Sequence, residues 1–156
     1  NKYGWVDVGS SFLPSEIVSS FLFAQLENLE RIQNRRIEIW NLYFSLLKPL
    51  ADRGFFTTQS WPETATNNGH MFYLICRSLD ERSKLIAHLK AQGILAVFHY
   101  LSLHQSPFYA EKHDGRALPQ SDFYSDCLVR LPLFFELTDS QIAQISNEIH
   151  HFFISL

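Results

Sequence analysis

Cysteine is scarce in this chain: there are two, Cys76 and Cys127, in 156 residues. Two thiols so far apart make no disulfide framework, and they read as reduced thiols of a cytoplasmic protein. Cys76 lies in an apolar run and reads as a small core residue. A nucleophilic cysteine needs a base and an oxyanion site beside it, and the sequence offers neither. Charge of one sign is also missing. The formal net charge is -3, and Lys and Arg do not cluster, which argues against nucleic acid as a partner. No apolar run approaches the roughly 18 residues of a membrane span, and no signal peptide is visible. Low-complexity tracts and internal repeats are absent.

The residues that are present suit a folded chain. Hydrophobic residues make up 46% and aromatics 15%, enough to bury a core in one domain or in one large piece of a longer protein. The opening "NKYGWVDVGSS", without an initial Met, reads as mid-protein.

Residues 14–51 carry a helical pattern. Ile17, Phe21, Leu29, Ile32, Ile39, Tyr43, Leu47 and Leu50 share one face. Leu22, Leu26, Ile37, Trp40 and Phe44 lie off it, so the helix is expected to meet more than one neighbour. Pro14 suits a first helical position, and Pro49 with Gly54 is expected to end the helix. Unbroken, it would run about 55 Å, long enough to bridge to a part not contained in this sequence.

Beyond it, "FFTT" (55–58) could be a short strand, and "WPETATNNG" is a loop in which Asn67 and Asn68 form a turn. "HMFYLICR" (70–77) is a buried strand. Ser78 and Glu81 form a capping box for a helix ending near Gln92, with Gly93 just past it. "ILAVFHY" (94–100) is read as the next strand, 101–120 as an irregular loop and 121–128 as a short helix. "VRLPLF" is extended because Pro132 forbids a helix interior. Thr138 and Gln141 make a second capping box, and Ile142, Ile145, Ile149 and Phe152 carry the last helix. This order predicts a small α+β layer with a sheet of three or four strands.

Three stretches could carry chemistry. "VFHYLSLHQSPFY" (97–109) holds His99, Tyr100, His104 and Tyr109. A metal reading would draw on His70, His99, His104 and His113, but no spacing supplies a closed ligand set. Residue types alone leave the stretch between an aromatic core segment and a ligand rim at a strand end, where His and Tyr tips can hold hydroxyls and phosphates. In "VDVGSS" (6–11), Ser10 and Ser11 either cap the following helix or meet an anion at its N-terminus. In "NNGH" (67–70), His70 leans to a structural role. His150 and His151 are expected to face solvent.

Taken together, "KYGWVDVGSSFLPSEI", "AQLENLERIQNRRIEIW", "NNGHMFYLICRSLDERSKLIAHLK", "GILAVFHYLSLHQSPFY" and "LVRLPLFFELTDSQI" resemble the C-terminal portion of the DegT/DnrJ/StrS sugar-nucleotide aminotransferases. The resemblance covers nearly the whole chain in order. It implies the small α+β C-terminal domain of a fold type I transferase dependent on pyridoxal 5'-phosphate (PLP). Residues 1–54 would be the inter-domain segment and bridging helix, and 55–156 the small domain. The large PLP domain, with its Schiff-base lysine, would lie upstream. None of the five lysines matches that motif, so no catalytic residue is assigned and the chain alone is expected to be inactive. The family acts as a homodimer on a nucleotide sugar, with glutamate the usual amino donor. Ser11, and beside it Ser10, match the position that reaches the cofactor phosphate of the partner subunit, where the wider family has Asn. His99 and Tyr100 match a His-Tyr pair at the substrate edge. His104 matches a second His, and Ser102 replaces a frequent Pro before it. The alternative is a stand-alone nucleotide-sugar-binding or interaction module from a split or truncated gene.

Overall fold

The helical pattern of residues 14–51 resolves into two helices, not one. The computed structural model describes residues 12–109 and 111–154. Helix α1 is Glu16–Leu26 and α2 is Leu29–Asp52. Between them Asn28 opens to φ −105°, ψ 9°. Its N–H bonds the Gln25 carbonyl, and its side-chain amide donates to the Ala24 carbonyl at 3.1 Å. Asparagine competes locally for backbone groups, so the regular ladder stops here. It resumes where Ile32 donates to the Asn28 carbonyl. At the start of α1 the capping residue is Ser15, whose hydroxyl accepts from Val18 N–H. Pro14 therefore stands before the cap and not at the first helical position. Pro49 does not stop α2 either. Leu47 and Leu50 on each side of it are buried, and the helix continues to Asp52, with Gly54 (φ +80°) turning the chain away.

The two helices differ in environment. The second half of α2 buries Ile39, Trp40, Tyr43, Leu47 and Leu50. None of α1 is buried. Ile17, Phe21 and Phe23 are 83%, 71% and 64% exposed, an apolar surface with nothing against it among the described residues.

The sheet has three antiparallel strands in the order β1 (Thr57–Thr58), β2 (Phe72–Ile75), β3 (Leu128–Leu131). Thr57 stands opposite Ile75, and Phe72 opposite Leu131. The predicted strand at 94–100 does not form. Only Val97 pairs, exchanging hydrogen bonds of 3.1 and 2.7 Å with Arg130. Ala96 N–H turns back onto the Ile94 carbonyl. Leu95, Phe98 and Tyr100 project to the surface while Ile94 and Ala96 are buried; with Ala96 N–H spent on the Ile94 carbonyl, pairing is confined to Val97.

Helix α3 is Leu79–Ala91, α4 Pro119–Cys127 and α5 Asp139–Ile154. The Thr138–Gln141 capping box is formed, and that of Ser78 and Glu81 in part. Ser78 Oγ accepts from Glu81 N–H, while Glu81 reaches back to the N–H and guanidinium of Arg77, one residue before the cap. Thr138 N–H donates to Gln141 Oε1 at 3.0 Å, and Gln141 N–H donates to Thr138 Oγ1 at 3.3 Å. Helix α5 packs on both α2 and α3, which meet the sheet at β1 and β3. Its core positions are Ile142, Ile145, Ile149 and Phe153; Phe152, predicted inward, is only half-buried. Tyr43, Phe56, Phe72, Leu74, Val129 and Phe153 fill the centre of the core. The Tyr43 hydroxyl donates to the Pro132 carbonyl at 3.0 Å.

Candidate functional site

The segment after Val97 is positioned from α4. Ser125 Oγ donates to the Tyr100 carbonyl and accepts from Ser102 N–H, both at 3.2 Å. The Ser121 hydroxyl reaches that of Ser102 at 3.3 Å. These small hydroxyls anchor the backbone and leave the larger side chains outward. His99 and Tyr100 meet edge to face with ring centroids 4.6 Å apart. Tyr100 is 78% exposed. His99 is half-buried, and its Nδ1 is enclosed without a hydrogen-bond partner among the described residues. Desolvation, then the nearby Arg130 and His70, hold its imidazole below its ordinary pKa. It is therefore a neutral group that can accept or donate one hydrogen bond. The pair lines a small hollow of about 230 Å³ with Leu103, Ser121 and Tyr124.

His104 lies in the adjoining hollow, which shares Leu103 and Ser121 with the first and has a volume of about 440 Å³. It sits in a 3₁₀ turn, Leu103–Gln105. Its Nε2 is 3.2 Å from the Asp122 carboxylate, which also accepts from the Gln105 amide at 2.8 Å. His113 packs edge to face on it at 5.0 Å. Tyr109, Lys112 and Arg116 complete the rim. Asp114, the one carboxylate of the lining, stands 3.1 Å from His113 and 3.7 Å from Arg116; with Lys112 the lining keeps an excess of positive charge, which together with the imidazoles and the phenol suits an anion that also bears hydroxyls.

The predicted residues are thus divided. His99 and Tyr100 share one hollow, and His104 lines its neighbour. Ser10 and Ser11 lie outside the described residues. His70 is exposed, and its backbone is what holds it in place: its N–H donates to Asn68 Oδ1 at 3.0 Å and its carbonyl accepts from the Arg36 guanidinium. Asn67 is likewise a turn former, accepting from Gly69 N–H at 2.9 Å. Among the described residues, His70, His99, His104 and His113 make no three-donor group. His150, expected in solvent, is half-buried with Nε2 against the Leu46 carbonyl. Lys112 and Arg116 were not singled out from sequence, because isolated surface cations on an irregular loop carry no spacing signal. Cys76 is buried, and burial pushes its thiol up to about 12. Such a thiol is inert as a nucleophile.

A model of the DegT/DnrJ/EryC1/StrS aminotransferase family matches residues 1–150. The chain belongs to this family. Solved structures share its fold at low identity. DesV of S. venezuelae, in complex with a ketimine intermediate, is 22% identical with a TM-score of 0.87 over 98% of this chain. Helicobacter pylori PseC, an aminotransferase of pseudoaminic acid biosynthesis, is 20% identical with a TM-score of 0.83 over 97%. The PLP-form of the sugar aminotransferase Spr1654 from Streptococcus pneumoniae is 22% identical with a TM-score of 0.74 over 85%. The chain spans 40% of the length of the first two and 33% to 34% of the Spr1654 structures.

The residues described do not by themselves fit an anchor for an aldehyde cofactor. Lys48, Lys84, Lys90 and Lys112 are all exposed. Lys48 and Lys84 are paired with Asp52 and Asp80 one turn away. An anchoring lysine needs an enclosed position that lowers its basicity. No described helix is long and apolar enough to cross a membrane.

Proposed function

We propose that this chain is the C-terminal part of a cytoplasmic, homodimeric, PLP-dependent sugar-nucleotide aminotransferase. The whole enzyme would convert a dTDP-4-keto-6-deoxy sugar to dTDP-4-amino-4,6-dideoxygalactose, with glutamate as donor. The product would enter a surface polysaccharide such as enterobacterial common antigen. The family match over residues 1–150 carries this reading. The exposed apolar surface of α1 supports a larger body packed against it, as does the one-third to two-fifths share of the matched structures that the chain spans. PLP, bound in the whole enzyme, supplies the electron sink. Residues 1–54 would link the two domains, and Ser11 with Ser10 would donate to the cofactor phosphate across the dimer. This chain's described residues position the substrate. Neutral His99 and Tyr100 hold sugar hydroxyls, and His104, Lys112 and Arg116 face the diphosphate.

The test is an amine-transfer assay on the full-length polypeptide and on residues 1–156 alone, following 2-oxoglutarate from glutamate and the 4-keto sugar nucleotide. The full-length protein is expected to turn over, and the shorter chain to bind no PLP. Lys112→Gln with Arg116→Gln is expected to raise KM for the sugar nucleotide about tenfold or more, because charge-assisted contacts are lost, with KM for glutamate unchanged. Turnover by residues 1–156 alone, or equal effects on both KM values, would refute the assignment.

A further inference from the structure

Outside the two hollows, α3 and α5 carry a donor cluster that substrate positioning does not use. On α5, Glu148 and His151 are three residues apart, and so lie on one helical face. His88 of α3 meets them across the α3–α5 contact. One ligand atom from each lies within 4.8 Å of the other two. His88 Nε2 and Glu148 Oε2 are 3.1 Å apart. Zinc held at about 2.0–2.1 Å from tetrahedral ligands sets them roughly 3.3 Å apart. One edge of such a site is therefore already at its length, and the other two, to the exposed His151, have to close from no more than 4.8 Å.

The surroundings favour a cation. His151 is in the last turn of α5, where the helix dipole and unpaired carbonyls attract positive charge. His88 is half-buried and its ring packs on Phe152 at 5.6 Å and on His151 at 5.9 Å. That packing limits its rotamers and gives the site an apolar wall. Two imidazoles and a carboxylate are a borderline-soft set that takes zinc, cobalt or nickel in preference to magnesium or calcium.

We infer that His88, Glu148 and His151 form a binding site for a zinc-class divalent ion, with water completing the coordination. The ion clamps α3 to α5. A ligand that binds only the folded chain stabilises it by mass action, so zinc raises the melting temperature of the protein.

The probe is the metal alone. Full-length protein, freed of metal with EDTA, is titrated with Co²⁺ and then with Zn²⁺. One equivalent of Co²⁺ is expected to develop visible d–d absorption that zinc bleaches. His151→Gln is expected to weaken zinc at least tenfold and to abolish the zinc-dependent rise in melting temperature. The substitution is at an exposed position, so the apo-protein still folds. His88→Gln and Glu148→Gln are expected to act in the same direction. His104→Gln with His113→Gln serves as the control, and leaves the cobalt spectrum intact. The inference is overturned if no cobalt spectrum develops. It is equally overturned if His151→Gln leaves the spectrum and zinc affinity unchanged, or if the control double variant removes them.

Discussion

Replacing Gly69 with alanine tests how the turn before β2 is seated. Gly69 is buried at φ +61°, and a Cβ built on it would stand 2.9 Å from the Arg36 carbonyl carbon, 3.0 Å from its oxygen and 3.0 Å from Ile37 N. All three are backbone atoms within α2, which cannot yield as a side chain would. The left-handed conformation alone costs an alanine about 1–2 kcal/mol, and forced overpacking adds about 1–3 kcal/mol. Lifting the turn off α2 relieves the clash, but only by losing the Gln33 amide on the Asn68 carbonyl and the Arg36 guanidinium on the His70 carbonyl. Those bonds are worth about 0.5–1.5 kcal/mol each, so the escape is no cheaper. The expected loss is about 2–5 kcal/mol. Gly93→Ala is the control: φ is +75° there, yet no atom of the described residues lies within 4 Å of the added Cβ, so it loses only the conformational part. Urea unfolding of both variants, compared at unchanged m, measures the difference. If Gly69→Ala lies within about 0.5 kcal/mol of Gly93→Ala, the turn is not seated on α2 as described.

Three further outcomes follow from the geometry. Tyr43→Phe removes the hydroxyl bonded to the Pro132 carbonyl in the core and is expected to cost about 0.5–1.5 kcal/mol in chemical denaturation; a neutral result would mean that water already serves that carbonyl. Ser78→Ala removes the oxygen that accepts Glu81 N–H at the start of α3; the expected loss is about 1 kcal/mol, and Ser78→Gly should recover most of it. Burial raises the Cys76 thiol from 9.0 to about 12, so the native state holds its proton while the unfolded chain releases it. The stability this contributes is full below about pH 9 and is lost as pH rises towards 12. Cys76→Ser is expected to flatten that alkaline decline, and in the wild type Cys76 should resist alkylation at pH 8 until the chain unfolds.

The elements legible in the sequence are those set by local chemistry. Ser78 with Glu81 and Thr138 with Gln141 announce helix starts because the bonds they make lie within four residues. Central strand β2 is legible because a short apolar run bounded by turn residues has few other uses. The misreadings arise where a partner decides. "ILAVFHY" has the composition of a strand, but pairing requires a neighbour's edge. Only Val97 finds one, on Arg130. Asn28 is a single residue in a long apolar pattern, and its bond to the Ala24 carbonyl outweighs periodicity that would carry a helix through it.

The candidate site was legible in residue type and not in arrangement. His99, Tyr100 and His104 stand out as polar tips in an apolar segment. Their division between two hollows depends on Ser121 and Ser125, about twenty residues later on α4. Lys112 and Arg116 join His104 only because the loop folds back to bring His113 onto its ring. The cluster of His88, Glu148 and His151 is hidden for the same reason. Glu148 and His151 share a helical face that the sequence displays, but their third member comes from sixty residues away, through the packing of α3 on α5. Residue type identifies what a side chain can do, while the company it keeps is set by tertiary packing. That is why His151, set aside from sequence as solvent-facing and still exposed in the fold, becomes the most informative position for testing the metal site.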